Sequence, residues 1–336
     1  MKKTVYLIVI LIAVLGLRSA CPAQERTYRI EVLQITDFIA FQQAYDGFIR
    51  ELARSGLVQG KNLTVKRTII DYDVVNPTIW KKAKALWRIR SEASRIASEK
   101  PDLVLTVGTP VTRYAKDKII AAGIPVVFTA AAFPVEAGAR SLTEAGPGFT
   151  GATSHMDMGE AIRIVKIAFP NLKKVGVVYS ANLGSHIDEA IEQGKAHGFT
   201  FITEEAGMKE HITPFLQDLR KKGAEAFVVP PDPYYLMRNY EEVDELAGFS
   251  RAGGVPVISF VIVRFPGAVL YVGVDLEHIG ALSGRQAMKI LTGAAKPESL
   301  PILRQDKPTV LVDQKLAKSL GIQLSPEILQ IAQPVE

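Results

Sequence analysis

What constrains this chain most is its alternation of short β-branched runs with longer segments of helical period. Tyr28–Ile35 reads as a strand and Phe38–Ser55 as a helix, with apolar positions at Phe41, Tyr45, Phe48, Ile49 and Leu52. Asn62–Ile70 is strand-like, residues 77–99 are helical, and Asp102–Val107 is a buried strand. Thr109–Ala122 is a helix ended by Gly123, and Pro125–Phe128 is the next strand. Near-continuous apolar strands spaced by helices form parallel sheets covered on both faces.

Ala137–Gly151 interrupts the pattern. It holds Gly138, Gly146, Pro147, Gly148 and Gly151 and reads as an extended crossover. A second series then begins. Helices are expected at Met158–Phe169, His186–His197, Ile212–Lys222, Tyr235–Arg251 and Leu276–Leu291, and strands at Lys174–Tyr179, Thr200–Thr203, Ala226–Val229 and Pro256–Phe260. An extended piece, Ala268–Val274, precedes the last of those helices, and Thr309–Val312 with Gln314–Leu320 closes the pattern. The expected fold is α/β, with two doubly wound parallel-sheet lobes joined by three crossovers. Lobe 1 takes residues 27–150 plus 275–305, and lobe 2 takes 151–272 plus 306–333. Open α/β sheets bind ligands beyond the carboxyl ends of their strands, so two facing lobes would share one cleft.

The first 23 residues read as an address. Lys2 and Lys3 precede an apolar run, Val5–Leu17, too short to span a bilayer, followed by small residues, which describes a secretory signal peptide. Two processing routes fit: a cut ahead of Gln24, or lipidation of Cys21 in the lipobox-like Ser19-Ala20-Cys21. Either gives an exported protein, periplasmic or anchored to the membrane as a lipoprotein. Cys21 is the sole cysteine, which excludes a disulfide framework and a Cys-based zinc cluster. Residues 1–23 contribute +3 of the formal net charge of +5. The remaining +2 argues against a nucleic-acid partner.

The usual chemical motifs are missing. Gly146-Pro147-Gly148-Phe149-Thr150-Gly151 fits G-x-G-x-x-G in spelling, but no strand precedes it and no helix starts in it. Gly60-Lys61 and Gly194-Lys195 lack the Ser or Thr of a P-loop. His155, His186, His197, His211 and His278 offer no helical metal pair and read as surface or locally satisfied residues. The helix carrying Lys81, Lys82, Lys84, Arg88, Arg90 and Arg95 reads as a solvated basic face, with Trp80 and Trp87 as packing residues. No enzyme, metal or cofactor is implied.

What remains is a set of loops that follow buried strands and are rich in small, hydroxyl and aromatic residues. They are Val107-Gly108-Thr109-Pro110, Phe128-Thr129-Ala130, Tyr179-Ser180-Ala181-Asn182, Pro230–Tyr235 and Ser259-Phe260. Amides at such ends, beside helix N-termini, hold small anions such as a carboxylate, and aromatics cover an apolar body.

These segments, with Gly60-Lys61-Asn62-Leu63-Thr64, Lys100-Pro101-Asp102-Leu103-Val104, Ile124–Thr129, Pro134-Val135, Phe149-Thr150-Gly151, Val175–Tyr179, Pro230-Pro231-Asp232 and Val272–Asp275, carry a resemblance over about residues 28–321. The chain resembles the ABC-transporter substrate-binding proteins that include the tryptophan-binding TrpX-like lipoproteins, with a type I periplasmic-binding fold. It departs from their pattern at Phe133 and Phe260, neighbourhoods where that family carries acids.

The resemblance implies an extracytoplasmic receptor that captures a small solute, an amino acid or similar with an aromatic or apolar body, and delivers it to an ABC permease. A ligand-sensing protein signalling through a membrane kinase or cyclase is the alternative. A monomer is expected. The expected ligand-binding residues are Phe38, Gly108, Thr109, Thr129, Ala130, Phe133, Thr150, Tyr179, Asn182, Asp232, Tyr234, Ser259, Phe260 and Asp275. Asp232 is expected either to face a cationic group on the ligand or to cap the helix that follows it. Hinges are expected near Gly148–Gly151, Tyr271–Gly273 and Leu303–Lys307.

Overall fold

The computed structural model describes residues 26–335, apart from 77, 185, 237–240 and 264–266. The leader and Cys21 lie outside the described residues. The first sheet holds β1 (Tyr28–Gln34), β2 (Leu63–Ile69), β3 (Leu103–Val107), β4 (Val126–Ala131) and β5 (Phe149–Thr153) in the order β2-β1-β3-β4-β5. All of its pairings are parallel. Alternate side chains serve opposite layers, as the period-two geometry of a strand requires. Ile30, Val32, Leu105 and Val127 meet α1 (Ile39–Arg54) and α9 (Leu276–Leu291), while Leu33, Val104, Val126 and Phe128 meet α2 (Ile79–Glu99) and α3 (Thr109–Ala121).

Helices α1 and α9 touch backbone to backbone. A Cβ on Gly280 would stand 1.9 Å from the Ala44 carbonyl oxygen, and one on Gly47 would stand 2.0 Å from that of Glu277. Glycine here buys helix proximity, bringing the late helix α9 onto a sheet whose strands end more than a hundred residues earlier.

The second sheet runs β12-β11-β10-β9-β8-β6-β7. Its strands are β6 (Lys174–Tyr179), β7 (Thr200–Glu205), β8 (Ala226–Val229), β9 (Val257–Ser259), β10 (Leu270–Gly273), β11 (Thr309–Val312) and β12 (Gln333–Pro334). One face is covered by α4 (Met158–Ala168), α5 (His186–Ala196), α10 (Gln314–Ser319) and α11 (Pro326–Ile331). The other is covered by α6 (Thr213–Lys221), the single turn α7 (Pro233–Leu236) and α8 (Glu241–Gly253).

Three differences from the sequence expectation have physical causes. Phe149–Thr153 is an edge strand, not crossover, because Gly151 lets it lie against β4. A Cβ there would sit 2.2 Å from the Phe128 carbonyl oxygen. The first crossing therefore follows Thr153, and Gly151 is packed rather than free to bend. Strand β11 runs antiparallel to β10. The chain leaves β10 at its cleft end, adds α9 to the first sheet, and re-enters from that same end. Finally, α11 and β12 close the chain beyond the last expected element. Ser325 caps α11, its hydroxyl accepting from Ile328 N–H (3.2 Å).

Candidate functional site

In each sheet the strand order reverses beside the first strand of its series, between β1 and β3 in one and between β6 and β8 in the other. Chains leave such a point toward opposite faces and open a crevice. The first crevice is edged by the β1–α1, β3–α3 and post-β4 loops. Gly108 turns β3 straight into α3 with φ 93, and its N–H donates to the Thr129 carbonyl (3.0 Å). The Thr109 hydroxyl accepts from Phe133 N–H at 3.4 Å. Ala130 has φ 51, a left-handed conformation rare outside glycine, within a bulge of β4. Next to it the Thr129 hydroxyl is fully buried with no hydrogen-bond partner. In the first turn of α3, where Pro110 has no N–H, the N–H groups of Thr109 and Val111 lack an intrahelical acceptor, as at any helix start.

On the second sheet Asp232 joins the two loops at the reversal. Its carboxylate accepts from Ser180 N–H (2.6 Å), the Ser180 hydroxyl (2.8 Å) and Tyr234 N–H (2.9 Å). It is completely buried, and burial raises its pKa against the pull of those three donors. Tyr179 and Asn182 lie on the same rim, Tyr179 half-buried and Asn182 exposed. Burial, then the charges of Glu205 and Asp188, raise the Tyr179 phenol's pKa.

The lobes meet across the cleft. Phe133 of the first lobe stacks on His186 at the start of α5, with ring centroids 3.8 Å apart and planes 9° off parallel. Glu136 lies 3.5 Å from the same imidazole. Phe38 packs on Leu236, Val261 and Val263 of the second lobe. Lys82 of α2 shares a pocket of about 310 Å³ with Asn182, Glu205 and Met208. Among the described residues no cluster of His, Cys, Asp and Glu is placed to hold a metal ion.

Residues 29–336 match the family model described as ABC transporter substrate binding protein. The chain belongs to that family. It is 24% identical over 299 residues to a tyrosine-binding protein of Clostridioides difficile strain R20291, covering 88% of this chain and 81% of the relative. Among solved structures it is similar to a Streptococcus ABC domain in complex with L-Trp (TM-score 0.72, 20% identity, 92% of this chain and all of that one). It is also similar to the ligand-free, open structure of a Clostridium difficile substrate binding protein (TM-score 0.70, 22% identity, 92% of this chain and 99% of that one). The protein is thus a solute receptor of an ABC transporter, from a family that works outside the cytoplasm, and its fold is that of the type I periplasmic binding proteins.

In this binding protein six of the expected ligand residues have their side chains engaged by other parts of the protein. Asp232 is the clamp just described, not a free counter-charge, and its hold on Tyr234 N–H is the capping role. Tyr234 is buried in the second lobe, its hydroxyl donating to the Glu210 carbonyl (2.8 Å). Phe260 turns into the same lobe's core beside Val228 and Val272. Ser259 closes a local turn with Val261. Thr150 donates to the carbonyls of Leu300 and Pro301, both at 3.2 Å, and so holds a crossover. Asp275 caps α9 through Glu277 N–H and His278 N–H. Phe38, Gly108, Thr109, Thr129, Ala130, Phe133, Tyr179 and Asn182 stand at the strand-end rims. Sequence reasoning missed His186, Lys82 and Glu205. His186 had a usable signal, since it opens the helix after the Tyr179–Asn182 loop.

Proposed function

We propose that the protein captures an amino acid with an aromatic or apolar body between its lobes and, as a monomer, hands it to the importer's permease. The lobes, 27–153 plus 275–305 and 154–272 plus 306–333 once Phe149–Thr153 is counted with the first sheet, close on it about their three crossovers. Carrying this reading is the buried, partnerless Thr129 hydroxyl beside the first turn of α3, a combination suited to a carboxylate. Phe38, Phe133 and Tyr179 provide aromatic surface for the body, and burying it contributes roughly 25 cal/mol per Å². With Asp232 committed inside its lobe, Glu205 offers the pocket a carboxylate for an ammonium group. The tyrosine-binding relative and the L-Trp complex support the same ligand class. A leader removed ahead of Gln24, or lipidation at Cys21, would place the protein at the outer side of the membrane.

Mass spectrometry of the purified protein, followed by titration calorimetry with the twenty amino acids, tests the proposal. Binding confined to aromatic or large apolar amino acids is expected. A protein that binds none of the twenty overturns it.

A further inference from the structure

Helix α2 buries Ala85, Ile89, Ala93 and Ile96, a stripe at i, i+4, i+8 and i+11. Both tryptophans of the chain lie on the opposite side. Trp80 is 82% exposed and Trp87 68%, and Ile79, at the first position of the helix, is 77% exposed. Trp80, Lys84, Trp87 and Ser91 follow one another at i, i+4, i+7 and i+11, so they form a single line along the solvent face. Indoles facing away from the core gain nothing from folding, and an aromatic line of this kind marks a contact surface.

The charges around it are of one sign. Residues 79–91 contain Lys81, Lys82, Lys84, Arg88 and Arg90 and no acid. Lys81 is held by Asp73 at 2.6 Å, and Arg88 donates to the Ile70 carbonyl. Lys84 and Arg90 are exposed and pair with no described residue. Further along, Arg95 is taken up by Glu31, Glu92 and Glu99. Lys84 and Arg90 are thus left to flank the tryptophan line, while Lys82 stands at the cleft-side pocket and Arg95 is neutralised.

We propose that the outer face of α2 is a docking surface for an anionic lipid bilayer, with Trp80 and Trp87 seated at headgroup level and Lys84 and Arg90 against the lipid phosphates. Indole is the side chain that settles at a membrane interface, and lysine and arginine are drawn to anionic leaflets. A surface helix with this pairing lies flat on a membrane rather than crossing it. Such docking would hold the receptor's cleft rim, where Lys82 of the same helix stands, close to the membrane that carries its importer.

Because both tryptophans sit in the patch, tryptophan fluorescence, excited where tyrosine does not absorb, reports on it alone. The full chain is mixed at low salt with vesicles of phosphatidylcholine containing about one third phosphatidylglycerol, or of phosphatidylcholine only. Anionic vesicles are expected to shift the emission to the blue, shield it from an aqueous quencher, and lose both effects at high salt. Lys84→Glu with Arg90→Glu should lower the vesicle partition coefficient about fivefold or more for each cation removed. Trp80→Ser with Trp87→Ser should weaken co-sedimentation. These comparisons are made within one chain, so any affinity of the leader for lipid cancels. Unchanged emission with anionic vesicles overturns the proposal, as does equal partitioning of the charge-reversed variant. An emission shift given by the detergent-solubilised importer subunits but not by vesicles would also overturn it and assign the face to a protein.

Discussion

The carboxylate of Asp232 grips Ser180 twice, by its backbone N–H and by its hydroxyl, and so ties the loop after β8 to the loop after β6 at the point where the strand order reverses. The second lobe's rim is held in shape by a fully buried carboxylate.

Asp232→Asn should consequently act on stability first. Asparagine has one carbonyl oxygen for three donors, so its amide must face a Ser180 or Tyr234 donor. A loss of about 1–3 kcal/mol is expected from a buried polar group left unsatisfied. Urea denaturation of the ligand-free protein measures it. A variant as stable as the parent that has lost its solute would return Asp232 to the role of ligand contact.

The Phe133–His186 stack should contribute to lobe closure. Phe133→Ala or His186→Ala is expected to cost about 0.5–1.5 kcal/mol of solute affinity, the worth of an aromatic pair. The ligand-free protein should show a larger radius of gyration in small-angle scattering. Identical scattering and affinity in both variants would mean that the stack does not hold the lobes together.

Thr129→Val separates folding from binding at one atom. Removing a buried hydroxyl that has no partner should leave the ligand-free protein as stable or more so, by about 1 kcal/mol. Solute affinity should fall. Calorimetry on a variant of undiminished stability reads this, and unchanged affinity would remove Thr129 from the site.

Gly280→Ala should force α1 and α9 apart, since the added methyl meets the Ala44 carbonyl oxygen at 1.9 Å. Overpacking of this kind costs about 1–3 kcal/mol. The midpoint of chemical denaturation reports it. Gly248→Ala, inside α8 with nothing within 4 Å of the added methyl, controls for the loss of glycine itself.

Acid should weaken the fold through Glu225. Its carboxylate accepts from Lys173 N–H (2.8 Å) and Lys174 N–H (3.0 Å), and these bonds lower its pKa. A depressed folded pKa gives stability that is present above the unfolded value, about 4.3, and lost as pH falls through the folded one. Glu225→Gln should flatten that part of the stability profile. Asp232 has the opposite sign. Burial raises its pKa, so its contribution is present below about pH 4 and lost as pH rises through the folded value.

Most strands and helices of both sheets were legible in the sequence to within a few residues at their ends, because hydrophobic period and β-branching act over a few neighbours. Phe149–Thr153 was not, since Gly146, Pro147, Gly148 and Gly151 suggest a loop. It is a strand only because β4 offers a backbone against which a glycine at 151 alone fits.

The candidate site divides along the same line. The residues themselves placed Thr109, Thr129, Tyr179 and Asp232 at strand ends, because a buried run followed by a helix start locates the end of a parallel strand. Only the tertiary structure decided which of them face the cleft. Strand-end position places a Cα, but the direction of the side chain depends on which neighbour meets its polar or apolar demand. Asp232 found three donors inside its own lobe, and Phe260 found a core. Trp80 and Trp87 were turned to solvent because Ala85, Ile89, Ala93 and Ile96 took the inward face of the same helix.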